Sequence, residues 1–393
     1  MRRWLPFDYA VRNLARRPLR TILTGASSAL VAALIVATTA FVNGLQSTFA
    51  GAAQEDTVIV LSSVAERDLV RSTVTAGLPE LLAASIEGIR QINEMPAVSG
   101  EIHMGTNLHL GERPPEKGAD VTYQGFVRGV TDRAFLVHES VTLIDGRPPR
   151  TGEVIVGRLV RKQLGVPAQE LALDRFIRFE GTSFRIVGHF AAPGTTTEAE
   201  IWTPLTELRG ITRRDDSSAV FVRLETQDAF ADLELFAKRR LDLELVVIPS
   251  SSYYKELSDY LRPIRRLAWF LSAMIVGAAL FGGTNTLNAA VQDRLRELAT
   301  LRALGYSGGA LVSSLAQESV VLASAGGVVG LLLARAFLSG GAVRIAMSAF
   351  ALKVDALAIV AGFAGVVLLG LLGSLPAGFR VMRLQIAAAL KEP

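Results

Sequence analysis

The chain has 393 residues, half of them hydrophobic and only 20% charged, against roughly 25% charge in an average soluble domain. The apolar surplus sits in a few long blocks, which excludes an ordinary soluble enzyme. Cysteine is absent and there are four histidines, so a disulfide scaffold, a thiolate metal site and a cysteine nucleophile are excluded. The net charge of +4 matters less than its placement.

Residues 1–20 carry Phe7, Val11 and Leu14 at helical spacing, with Arg12, Arg16 and Arg17 around the wheel. Two readings stand: an amphipathic helix on the inner leaflet, or a basic tail that only sets topology. Residues 21–45 follow as a first membrane span, since about 20 mainly apolar residues cross a hydrocarbon core of ~30 Å. The apolar run exceeds the ~7–15 residues of a signal-peptide core and no A-x-A-like site closes it. A retained helix is therefore expected.

Residues 46–263 revert to soluble composition. Strand-like runs lie at 56–61, 121–130, 153–157 and 218–224, between turn signals. The stretch FIRFEGTSFRIVGHF predicts a hairpin turning near Glu180-Gly181. Helical patterns are expected over 79–93, 159–164 and 227–242. The mixture predicts an α+β extracytoplasmic domain of two subdomains, large enough to bury its own core. Residues 251–266 predict a stalk helix leading into the next span, with Pro263 as a kink.

The second span is expected over 264–291, the third over 310–338 and the fourth over 354–378. Ala278 with Gly282, and Gly326 with Gly330, have the small-x-x-x-small spacing that lets helix backbones approach closely. Asn285 near the end of the second span suits an interhelical hydrogen bond. Glu318 in the third is costly in hydrocarbon. It is either a proton or substrate site or a partner for a neighbouring helix, and its nearness to the membrane edge favours the second reading. The loop at 292–309 alternates Leu295, Leu298, Leu301 and Leu304 with charged residues and then reaches Gly305, a residue suited to the C′ position. This predicts a short amphipathic helix, either a simple connector or a docking element for a partner. A short loop at 339–353 and a tail at 379–393 complete the chain.

Arg2, Arg3, Arg12, Arg16, Arg17 and Arg20 precede the first span, and Arg294, Arg296 and Arg302 lie in the second loop. Arg380, Arg383 and Lys391 follow the last span. The excess of positive charge places both termini and the second loop in the cytoplasm. A multi-pass membrane protein with its large domain extracytoplasmic is the expectation.

No phosphate-binding G-x-x-x-x-G-K-[ST] loop or H-E-x-x-H motif occurs. His103 and His109 would share a face of a regular strand but lack an obvious third ligand. The carboxylate pairs Asp215-Asp216 and Glu198/Glu200 are expected to be solvated loop charges. No catalytic residue, cofactor site or metal site is assigned.

The run NTLNAAVQDRLRELATLRALGYSGGALVSSLAQESVVLASAGGVVGLLLA closely resembles the FtsX-like permease module of ABC transporters, which includes MacB-type, lipoprotein-releasing and DevC-type permeases. The residues that carry the resemblance are Arg294, Arg296, Glu297, Leu298, Leu301, Arg302, Ala303, Leu304 and Gly305, followed by Glu318 and Gly326-Gly327. The ending LPAGFRVMRLQIAAAL is similar to the family's, although Leu384-Gln385-Ile386 stand where a proline is usual. LIDGRPPRTGEVIVG and RFEGTSFRIVGHF resemble the periplasmic core domain of these permeases.

The resemblance implies a non-catalytic transmembrane subunit whose second-loop helix docks on a separate cytoplasmic ATPase, with ATP and Mg held by that partner. Arg294, Arg296, Glu297 and Arg302 would make polar contacts, and Leu298, Leu301 and Leu304 would pack. It further implies a permease dimer, homomeric or with a paralogue, in the lipid bilayer of the bacterial inner membrane, with the large domain periplasmic. A periplasmic membrane-fusion adaptor and an outer-membrane duct are partners the family admits; nucleic acid is not expected. ATP-driven closure of the ATPases would move the periplasmic domains to export or extract a periplasmic or membrane substrate. The alternatives are a permease that activates a periplasmic partner such as a cell-wall hydrolase, and a lipoprotein-releasing permease.

Overall fold

The computed structural model describes residues 18–65, 67–115, 120–226, 228–345 and 348–383. The amphipathic helix expected at 1–20 and the tail expected at 379–393 fall mostly outside these residues. The chain forms two compact units, one of long helices and one drawn from residues 43–262 and 342–352.

Four helices among the described residues are long and apolar enough to cross a membrane. They are Thr21–Ala52, Arg262–Gln292, Gly308–Leu338 and Ala356–Met382. The first belongs to a helix running Pro18–Ala52, seven residues beyond the end expected at Leu45. At 1.5 Å per residue it is about 52 Å long, well over the ~30 Å of a hydrocarbon core. The third and fourth helices begin at side-chain caps: Ser307 Oγ accepts from the Ala310 amide at 3.2 Å and Asp355 Oδ1 from that of Ala358 at 2.9 Å.

Gly326 and Gly330 lie against the first span. A Cβ on Gly326 would sit 2.3 Å from the Gly25 carbonyl oxygen, and one on Gly330 2.1 Å from that of Ala29. No larger residue permits this approach. Ala278 and Gly282 behave differently: both are exposed, and nothing lies within 4 Å of a Cβ at Gly282. Asn285 is exposed on the same helix rather than set against a neighbour. Only 6% of that helix's most apolar stretch is buried within the chain, against 44% for the first span, and Ala278 and Gly282 lie on its exposed side.

The inserted unit is built on β1 (Thr57–Ser62), β2 (Val74–Thr75), β3 (Gln91–Ile92), β4 (Met95–Pro96), β5 (Val98–Leu110), β6 (Tyr123–Val130), β7 (Thr142–Gly146) and β8 (Glu153–Gly157). It continues with β9 (Phe176–Phe179), β10 (Thr182–Ala191), β11 (Glu200–Pro204), β12 (Asp216–Ser217), β13 (Ala219–Arg223) and β14 (Leu245–Pro249). β15 (Ala342–Ile345) and β16 (Ser348–Ala351) complete it.

The main sheet runs β14-β1-β13-β5-β6-β11-β8-β10-β7. β5 is long enough to serve two subdomains. Its Val98–Glu101 segment pairs with β13, Ile102–Leu108 with β6, and His109 and Leu110 with β9. β9 also pairs with β10, so β5-β6-β11-β8-β10-β9 closes on itself. Ile102, Val127, Phe179, Phe184 and Ile201 fill that ring. The other subdomain packs helices Leu78–Ser85 and Asp228–Arg239 on β1 and β13 through Leu78, Leu82, Leu233, Val58 and Val220.

The turn at Glu180 and Gly181 has φ of 48° and 75°, the left-handed pair a two-residue hairpin requires. The helix expected over 79–93 stops at Ser85. Ile89 bridges to Leu224 and the chain turns back at Asn93 and Glu94, both at positive φ, so sheet pairing overrides the helical pattern. The stalk helix spans Ser250–Tyr260, and a new helix begins at Arg262 with Pro263 in its first turn. Proline favours that position and restricts the residue before it, so here it starts a helix rather than kinking one.

The loop expected at 339–353 is a β15–β16 hairpin that folds with the inserted unit. Arg344 Nη1 donates to the Gln163 carbonyl at 2.9 Å, and Ala349 packs with Leu159 and Ala199.

Candidate functional site: the loop helix and its anchor

The loop after the second span folds as a nine-residue helix, Leu295–Ala303, capped at Arg294. It ends in a Schellman motif: the Tyr306 amide donates to Leu301 O at 3.2 Å and the Gly305 amide to Arg302 O at 3.0 Å. Gly305 takes φ +95°, a conformation only glycine adopts without strain. The chain is thereby turned into the third span within four residues.

One face of this helix is spent on the bundle. Leu298 is 3% exposed and packs with Val291, Leu311, Leu315 and Val381, with Leu295 and Leu301 beside it. Arg302 Nη1 donates to Met382 O at 3.3 Å. Arg294 is 7% exposed; its Nε donates to Glu297 Oε2 at 3.2 Å and its Nη1 to Glu318 Oε2 at 3.3 Å. Glu318 thus pairs with the cap of the loop helix, beside a cavity of about 70 Å³ that Thr21, Thr24, Thr286 and Ser319 also line. Arg294, expected to make a polar contact with a partner, and Leu298, expected to pack, are both buried against their own bundle.

The opposite face is free of the bundle. Arg296, Thr300, Ala303 and Leu304 are exposed, Leu304 at 62%, and their spacing of four, three and one puts them on one side of a 3.6-residue helix. Leu304, expected to pack, lies on this outer side. Thr300 was missed by sequence reasoning because a threonine between two leucines carries no signal of its own. Arg296 and Glu297 border the outer face, Glu297 with 40% of its side chain exposed.

The inserted unit holds a second polar cluster that sequence reasoning did not assemble. Arg128, 2% exposed, donates from Nη1 to Glu101 Oε2 at 2.9 Å and from Nη2 to Glu200 Oε1 at 2.7 Å. His138 Nε2 lies 2.7 Å from Glu101 Oε1, and Trp202 Nε1 donates to Glu200 Oε2 at 3.1 Å. Burial would raise the Glu101 pKa, but His138 and Arg128 hold it well below the usual carboxylate range. Glu198 and Glu200, expected as solvated loop charges, are 1% and 6% exposed, and Glu198 pairs with Arg158 at 2.8 Å. His109 pairs with Asp120 at 3.1 Å, whereas His103 is buried beside Glu101. Among the described residues no group of three or more His, Cys, Asp or Glu could hold a metal ion.

Comparison with known proteins decides the family. Residues 21–234 match the MacB-like periplasmic core domain, and residues 269–386 match the FtsX-like permease C-terminal domain. The first match alone covers more than half of the chain. The chain belongs to the MacB-like, FtsX-type ABC transporter permeases. The macrolide export ATP-binding/permease protein MacB of Nitrobacter winogradskyi is 30% identical over 187 residues, 45% of this chain and 28% of that protein. The chain thus spans little more than a quarter of that relative's length. Among solved structures, the periplasmic region of MacB from Actinobacillus actinomycetemcomitans is matched with a TM-score of 0.40 and 13% identity, over 53% of this chain and 94% of that one. The extracellular domain of the noncanonic ABC-type transporter YknZ from Gram-positive bacteria gives 0.36 and 15%, over 49% and 99%.

This MacB-like permease is therefore an inner-membrane protein with a periplasmic-type core domain inserted after its first membrane helix. Its second-loop motif is the Leu295–Ala303 helix, and the family match at 269–386 contains the whole loop and Glu318.

Proposed function

We propose that this permease couples ATP hydrolysis on a separate cytoplasmic ATPase to movement of its periplasmic domain, and so drives export or extraction of a periplasmic or membrane substrate. The observation that carries this reading is the two-sided loop helix. Its inner side is bound to the bundle by Leu298 and the Arg294–Glu318 pair, and its outer side offers Arg296, Thr300 and Leu304. A helix fixed on one side and exposed on the other transmits a push from a docked partner into the spans without absorbing it.

In this reading ATP and Mg belong to the partner, the termini and the loop helix are cytoplasmic, and two permease copies work as a dimer. The exposed second span, with Ala278 and Gly282 on its surface, supports a contact with lipid or with the second copy. A periplasmic adaptor and an outer-membrane duct are further partners that the MacB relationship supports.

The test is affinity purification from native membranes in mild detergent. An ABC ATPase is expected to co-purify with the unaltered chain, and to be lost with the Arg296→Glu/Leu304→Glu pair while the permease still inserts. Retention of the ATPase by that variant overturns the assignment of the outer face.

A further inference from the structure

Within the inserted unit lies a cavity of about 320 Å³, above the lower bound of roughly 300 Å³ for small-molecule sites. Its walls are Phe49, Phe126, Tyr254, Leu257 and Phe350, and its floor is Arg128, Glu200 and His103. Three wall residues sit close in sequence to membrane helices. Phe49 is in the helix that continues the first span, Leu257 is five residues before Arg262, and Phe350 is on the hairpin between the third and fourth spans. The cavity is thus walled in part by residues that lie in, or adjacent in the chain to, membrane helices.

The floor selects by charge and by hydrogen-bonding sense. Asp68 lines the cavity with Glu200, and Glu101 stands behind Arg128. Three carboxylates face one guanidinium, so the balance stays negative whichever form His138 takes. Burial, followed by the charge of Arg128, pushes the His103 pKa down and keeps that ring neutral. Glu200 accepts from Arg128 and Trp202 and, with about four lone-pair sites on a carboxylate, retains room for another donor. His103 is 2% exposed, and its Nε2, 3.4 Å from Glu101 Oε2, has no hydrogen-bond partner.

We propose that this cavity binds an amphiphile with a single apolar chain and a protonated amine head, the chain lying among the aromatic walls and the ammonium donating to Glu200. The aromatic faces of Phe126 and Tyr254 add attraction for a cation. A carboxylate, sulfate or phosphate head would meet acceptors and net negative charge, and is rejected. This inference goes beyond ATPase coupling and does not rest on it.

The experiment uses the full chain in nanodiscs of zwitterionic lipid and two photoreactive probes, a dodecylamine and a dodecanoic acid, each with a diazirine at the chain end. Labelled peptides are mapped by mass spectrometry. The amine probe is expected to label the peptides holding Phe126 or Phe350, to be displaced by excess dodecylamine, and to label several-fold more than the acid probe. Leu257→Trp, at a position 37% exposed on the cavity rim, should suppress this labelling, and Val70→Trp at 42% exposure provides an independent block. Leu241→Trp, at 80% exposure outside the cavity, should leave it unchanged. Amine labelling confined to the membrane helices overturns the site, and equal labelling by the acid probe overturns the head-group selection.

Discussion

Arg294 Nη1 lies 3.3 Å from Glu318 Oε2, which ties the N-terminal cap of the loop helix to the third membrane helix, 24 residues further along the chain. Both groups are largely withdrawn from solvent, at 7% and 18% side-chain exposure. A carboxylate in a membrane helix is expensive, and this one is compensated by the residue that begins the loop helix. Removing the cation should therefore cost more than neutralising the acid. Arg294→Met is expected to destabilise the bundle by about 1.5–3 kcal/mol, the net worth of a hydrogen bond to a charged group. Glu318→Gln, which can still accept a hydrogen bond, should cost less. Thermal unfolding in nanodiscs ranks the two; a smaller loss for Arg294→Met contradicts the role given to the pair.

Gly305 closes the loop helix at φ +95°, and nothing crowds the space a Cβ would occupy. Gly305→Ala thus isolates backbone strain from steric clash. A left-handed non-glycine residue costs about 1–2 kcal/mol, so the end of the helix should fray. Faster tryptic cleavage at Arg302 or Arg296, with unchanged membrane insertion, is the expected readout.

Arg128 is shared by Glu101 and Glu200 in the inserted unit. Arg128→Met leaves two buried carboxylates without their cation, and breaking a buried pair in this way costs about 3–5 kcal/mol. Trp202, which bonds Glu200, reports the loss. Its fluorescence transition in urea should move to markedly lower concentration, in a background where Trp4 and Trp269 are replaced by Phe.

Glu153 has its pKa lowered to about 2 by hydrogen bonds from Arg147, against the opposing effect of burial, with Arg185 and the Arg150 amide adding to the lowering. A carboxylate depressed on folding contributes stability that is complete above its unfolded pKa near 4.3. That stability disappears as pH falls toward 2. Melting temperature should therefore decline between about pH 5 and pH 2, and Glu153→Gln should flatten this decline while lowering stability at neutral pH. Parallel acid limbs in the two proteins would exclude Glu153 as a contributor.

The membrane helices were legible because a bilayer imposes length and composition on contiguous residues, and the loop helix because its leucines repeat locally and Gly305 marks its end. The hairpin turn at Glu180-Gly181 was legible for the same reason, since turn chemistry is local. The inward orientation of Arg294 was not: its partner Glu318 lies on the next helix, and a charged residue before a helix reads as solvated. The Arg128 cluster draws its members from residues 27 and 72 positions away, so Glu200 looked like a loop charge. The β15–β16 hairpin was hidden because it joins a unit otherwise complete 80 residues earlier, at Arg262. The helix expected over 79–93 failed where Ile89 and Ile92 obey strand pairing instead.

The central claim is that the outer face of the loop helix meets an ATPase. The chain contains no cysteine, so each introduced thiol is unique, and single substitutions along 295–304 can be tested for disulfide or bis-maleimide cross-linking to the co-expressed ATPase in native membranes. The account predicts adducts from Arg296→Cys, Thr300→Cys and Leu304→Cys and none from Leu298→Cys, whose side chain is turned into the bundle. The absence of any ATPase adduct from the three outer positions, in variants that insert and fold normally, would contradict it.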